Sequence, residues 1–160
     1  MTKEEKKAIK IERMVYAKDK LPSWLALLAI VMNVFYFVSI YKTNLSAYYT
    51  YTIGISVIIN LLFMLATFLC SEGVKTYKKG FGIAMIVLGA IELARILYFP
   101  LRGITITEST TNLPIMGTPQ FVRTVIYLSS AAALLIAGGI ICIIHSTILE
   151  KSLKNKQGKE

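Results

Sequence analysis

Residues 80–99 read GFGIAMIVLGAIELARILYF, and the reading of this stretch decides the fold. Twenty residues of helix rise about 30 Å, the thickness of a bilayer's hydrocarbon core. The block opens on Gly80 after a basic turn (Lys75, Lys78, Lys79) and runs to Phe99 before Pro100. Only Glu92 and Arg95 break its apolar character. It reads as a membrane span carrying a charged pair.

Three further blocks of the same kind flank it, at about 22–41, 51–70 and 123–145. Of the 160 residues 55% are hydrophobic, and the mean hydropathy is +0.60. A soluble domain has about 45–50% apolar residues. The four blocks leave little chain for a water-facing core. The expected fold is therefore all-α: a four-transmembrane-helix, up-down-up-down bundle over 21–146. Residues 1–20 form a charged segment in which Ala8, Ile11 and Val15 recur at helical spacing, so a short amphipathic surface helix is expected there. Residues 147–160 form a basic tail.

Charge gives these spans a direction. Seven Lys and Arg precede the first span, three lie between the second and third, and four follow the last. Those fourteen share one side, against Lys42, Arg102 and Arg123 on the other. The positive-inside rule then puts both termini in the cytoplasm of a multi-pass cell-membrane protein. The Lys- and Ile-rich composition suits a bacterium with an AT-rich genome. The net charge of +9 lies beside apolar spans, so anionic lipids at the cytoplasmic face are the expected partners. Nucleic acid is not expected, because no aromatic residues interleave with the basic ones in the way a nucleic-acid groove needs.

Glu92 and Arg95 are three residues apart and share a helix face. Either charge at mid-membrane costs about 2.5–3.5 kcal/mol, so the pair should turn inward and neutralise itself. Asn33 and Asn60 fall at the same depth in the first and second spans. A carboxamide in hydrocarbon seeks a partner on a neighbouring helix. A mid-membrane polar layer is therefore expected: Asn33, Asn60, Glu92 and Arg95, with Tyr98 able to join. It can be read as a structural clasp, as a ligand or ion path, or as an interface to another subunit.

Two weaker patterns remain. Arg95, Arg102 and Arg123 lie toward the outer side and could contact an anion, although interfacial arginines commonly only snorkel. In the fourth span Ser130, Ala133, Ala137 and Gly138 make a thin, small-residue face for helix packing, inside the bundle or between chains, and Gly82 and Gly89 could supply the matching groove.

No catalytic motif is present, so an enzyme is not expected. Nor is a cofactor, a metal site or a disulfide, since Cys70, Cys142 and the lone His145 lack ligand or CxxC spacing. In length and span count, though in no residue motif, the chain resembles small four-span subunits of multi-part transporters. The leading functional expectation is a non-enzymatic accessory or assembly subunit of a larger membrane complex, with a protein partner or in a homo-oligomer. A small oligomeric transporter or channel using Glu92 and Arg95 is the alternative, and an extracellular anion or lipid sensor is a weaker one.

Overall fold

The structure is a computed structural model that describes residues 3–16, 18–41, 47–105 and 116–157. Among them are five helices and no strand: α1 (Lys3–Tyr16), α2 (Lys20–Tyr41), α3 (Ala47–Val74), α4 (Lys79–Thr105) and α5 (Thr118–Gln157). Helices α2 to α5 are each long and apolar enough to cross a membrane. Pro22 sits in the first turn of α2 and Pro119 in that of α5, where a missing N–H is not needed.

The four long helices pack in a ring, α2 on α3, α3 on α4, α4 on α5 and α5 on α2, while α1 leans on α5. The start of α2 meets the end of α3, where the Ser23 and Ser71 hydroxyls lie 3.0 Å apart. The start of α4 likewise meets the far part of α5 through a Lys79–Glu150 ion pair. Both pairs are therefore antiparallel.

The polarity is inverted relative to a water-soluble bundle. Leu28, Val31, Leu61, Leu62, Leu65, Ile83, Val87 and Ile126 face outward, whereas Asn33, Ser56, Asn60, Thr67, Glu92 and Thr124 are buried. In water the first set would be an unusually large exposed apolar patch. Two apolar clusters fill the interior. One holds Ala26, Ala29, Phe63, Met85, Leu135 and Cys142, and the other Tyr36, Ile40, Met116 and Leu128. Along α2, α3 and α4, the residues Asn33, Asn60 and Glu92 fall between the two.

At the α4–α5 seam the two backbones approach closely. A methyl group added to Gly82 would lie 3.0 Å from the Gly139 carbonyl oxygen, and one added to Gly89 would lie 3.1 Å from that of Ala132. Both residue pairs are spaced by seven, so one antiparallel register aligns them. Added to Gly139, the methyl would lie 2.6 Å from the Gly82 oxygen. Glycine is required here because the backbones themselves touch.

The helices outrun the apolar blocks. α4 does not end at Pro100 but continues through it to Thr105. A proline frees only the carbonyl four residues back, which a membrane helix tolerates. α3 extends to Val74, and residues 147–157 of the basic tail continue α5 instead of forming a separate segment. Lys42 and residues 106–115 of the long loop lie outside the described residues.

Candidate functional site

Arg95 is the hub of the interior. Its Nη1 donates to Glu92 Oε2 at 2.8 Å and to Asn33 Oδ1 at 3.1 Å, and its Nη2 donates to Asn60 Oδ1 at 2.7 Å. Three helices thus meet on one guanidinium. The amides are oriented for this by their other ends. Asn33 Nδ2 donates to the Ala29 carbonyl one turn back at 3.1 Å, and Asn60 Nδ2 donates across to the Asn33 carbonyl at 3.4 Å. Both amide nitrogens are thereby engaged, and both oxygens are presented to Arg95.

Burial is near complete. The Glu92 side chain is 0% exposed and that of Arg95 10%. The guanidinium carbon lies 4.9 Å from the Tyr36 ring centre and 5.2 Å from that of Phe63, within cation–π range. Glu92 Oε1 is buried without a hydrogen-bond partner among the described residues. Beside Arg95 is a cavity of about 30 Å³ lined by Tyr36, Ser56, Ile59, Arg95 and Tyr98. That is room for about one water molecule.

The structure brings Asn33, Asn60, Glu92 and Arg95 into direct contact and sets Tyr98 on the wall of the small cavity. Tyr36 and Phe63 were not anticipated, because an aromatic residue inside an apolar span carries no distinguishing signal.

Arg95 and Arg123 line different pockets. Arg95 is spent on the interior layer. Arg123 lines a separate pocket of about 360 Å³ with Phe35, Val38, Ser39, Gln120 and Tyr127, and Arg95 is not among its walls. Gln120 Nε2 bridges that pocket to the Ser39 carbonyl at 2.6 Å. The side chain of Arg102 lies outside the described residues.

In the fourth span, Gly138 packs inward against Leu25 and Met85, Ser130 is half-buried, and Ala133 and Ala137 face outward. The inward small residues are Ala131, Ala132, Gly138 and Gly139. With small residues all around this helix, spacing alone does not say which face packs.

A second polar group, absent from the expectations, closes the end where α2 begins. Asp19 is buried, and its Oδ2 lies 2.7 Å from His145 Nδ1 on α5. The Asp19 backbone N–H donates to the Lys75 carbonyl at 3.2 Å, and Ser71 Oγ donates to the Ser23 carbonyl at 3.4 Å. Tyr77 turns the chain from α3 to α4 with φ 54°, and its carbonyl accepts from Ser146 Oγ. Partial burial and the negative charge of Asp19 push the Tyr77 phenol above its ordinary pKa.

The mid-bundle cluster can hold charge without water. It offers no exposed nucleophile or base, and no three His, Cys, Asp or Glu side chains gather as metal ligands among the described residues. No family model, curated protein or solved structure matches this chain.

Proposed function

We propose that the chain is a plasma-membrane protein with four spans in up-down-up-down order, both termini in the cytoplasm and α1 on the membrane surface. We further propose that it serves as a non-enzymatic accessory or assembly subunit of a larger membrane complex. The observation that carries this reading is the closure of the Arg95 cluster. Among the described residues its guanidinium is met by Glu92, Asn33 and Asn60 together, an arrangement that supports a structural clasp locking three helices. The outward Ala133 and Ala137 support a neighbour, because small residues let a second helix approach closely.

A photo-crosslinking residue at Ala137 in the native membrane, followed by mild solubilisation and sizing, tests the assignment. The expected result is a crosslinked species larger than the chain. A lone, uncrosslinked monomer would sink the accessory role.

A second reading, a small oligomeric transporter coupled through Glu92, is favoured by the unpartnered Glu92 Oε1 and the small cavity beside Arg95. It requires wild-type flux in liposomes that Glu92→Gln abolishes. Flux insensitive to that substitution removes the role of Glu92.

A further inference from the structure

The end of the bundle that Asp19 closes carries a second pocket, of about 310 Å³, lined by Lys18, Lys20, Ser23, Trp24, Leu27 and Lys75. We propose that this pocket binds the phosphate headgroup of an anionic phospholipid, with an acyl chain laid along Trp24 and Leu27. The proposal rests on the membrane reading above.

The argument begins with how the lysines are held. Lys18 and Lys20 flank Asp19, and Asp19 is fixed twice, by its N–H on the Lys75 carbonyl and by its carboxylate on His145. The first of these bonds draws the start of α2 onto the end of α3 and sets Lys75 beside the other two. The Ser23–Ser71 contact braces the same junction one turn further in. The three lysines thus border a constructed corner and not a free tail.

Two acidic groups stand nearby. Glu72 pairs with Lys75, and the Asp19 carboxylate is occupied by His145. Lys18 and Lys20 are exposed, and neither forms an ion pair among the described residues.

The second part of the argument is the order of residues along α2. Lys20, Trp24 and Leu27 fall at i, i+4 and i+7, so they share one helix face. Trp24 is 63% exposed, and Leu28 and Val31 continue the apolar surface inward. Cation, interfacial aromatic and apolar residue in that sequence match the headgroup, glycerol level and chain of a lipid. A free phosphate would have no use for Trp24 or Leu27. The size fits as well, since ligand pockets run from about 300 Å³ upward.

Trp24 is the only tryptophan, so its fluorescence reports on this pocket alone. The full chain is reconstituted in phosphatidylcholine vesicles containing a minor fraction of either acyl-brominated phosphatidylglycerol or acyl-brominated phosphatidylcholine. The expected result is an apparent affinity for the anionic lipid about tenfold higher. That is below the product of two lysines at about fivefold each, with Lys75 shared with Glu72, because Lys18 and Lys20 are exposed to screening by salt. Lys18→Gln/Lys20→Gln/Lys75→Gln should bring the two lipids to parity while quenching by brominated phosphatidylcholine stays unchanged, which shows that the variant is still inserted.

Equal quenching by both lipids in the wild type overturns the proposal, as does a preference that survives the triple substitution. Relief of the quenching by inorganic phosphate, beyond the effect of matched chloride, also overturns it, because the site would then take the free ion. Absence of quenching by either lipid would instead strike the membrane reading itself, and this proposal with it.

Discussion

The chain holds its helices together with polar groups at two levels, and the two are built differently. At mid-bundle, Arg95, Glu92, Asn33 and Asn60 bind one another among apolar neighbours. At the end where α2 begins, Asp19 meets His145, Ser23 meets Ser71, and Ser146 meets the turn at Tyr77. The chemistry is similar, but access to water is not. His145 is about a quarter exposed, whereas Glu92 is wholly enclosed. A group beside water can exchange a lost partner for solvent, and a group in hydrocarbon cannot. The same type of contact should therefore be worth more in the middle than at the end.

The most severe way to break this contrast is Arg95→Leu. It strands the Glu92 carboxylate and two amide oxygens, and should cost about 3–5 kcal/mol. The variant is expected to be recovered poorly and to be aggregated on size-exclusion chromatography in detergent. The double variant Glu92→Leu/Arg95→Met should regain much of that loss, since it removes both charges. If the single and double variants behave alike, the cluster is not a charge clasp.

At the other level Asp19→Ala should cost less, about 1.5–3 kcal/mol, the usual range for a hydrogen bond to a charged group. The loss should be visible as a lowered thermal midpoint with expression retained. Ser71→Ala, which removes a bond between neutral hydroxyls, should cost only about 0.5–1.5 kcal/mol. An Asp19 loss as large as that of Arg95 would erase the distinction between the two levels.

The smallest effect has the opposite sign. Tyr77 adopts a left-handed backbone that glycine enters freely, so Tyr77→Gly should stabilise by about 0.5–1 kcal/mol in the same melting assay. The raised pKa of the Tyr77 phenol has its own consequence. Its stabilising contribution is complete below the unfolded-state value of about 10 and is lost as pH climbs through the higher folded value. Wild-type melting should therefore fall at strongly alkaline pH, and by less in Tyr77→Phe.

How much of this could be read from the sequence follows from the same contrast. Polar residues are rare in an apolar block, so the depth of Asn33, Asn60, Glu92 and Arg95 was itself informative, and four positions at one level implied contact. The end cluster gave no such signal. Asp19 and His145 are 126 residues apart; Asp19 lies among charged residues and His145 at the last position of the fourth apolar block, where a polar residue is ordinary. The packing of α2 on α5 brings them together. The packing face of α5 was hidden for another reason. Ala and Gly occupy several of its faces, and the choice of Gly138 and Gly139 over Ala133 and Ala137 depends on where Leu25, Met85 and Gly82 lie on the partner helices.

The position of the Arg95 acceptors along the chain also bears on biosynthesis. Asn33, Asn60 and Glu92 all precede Arg95, on α2, α3 and the preceding turn of α4. A ribosome makes them first. On the membrane reading proposed above, the amide oxygens of α2 and α3 would already be in the bilayer when α4 leaves the translocon, and Glu92 would enter together with Arg95. An isolated α4 reporter should then insert less efficiently than the same segment made behind α2 and α3, and Asn33→Ala/Asn60→Ala in the longer reporter should narrow the difference. On that reading the order of the code, as much as the folded arrangement, would make an arginine tolerable there.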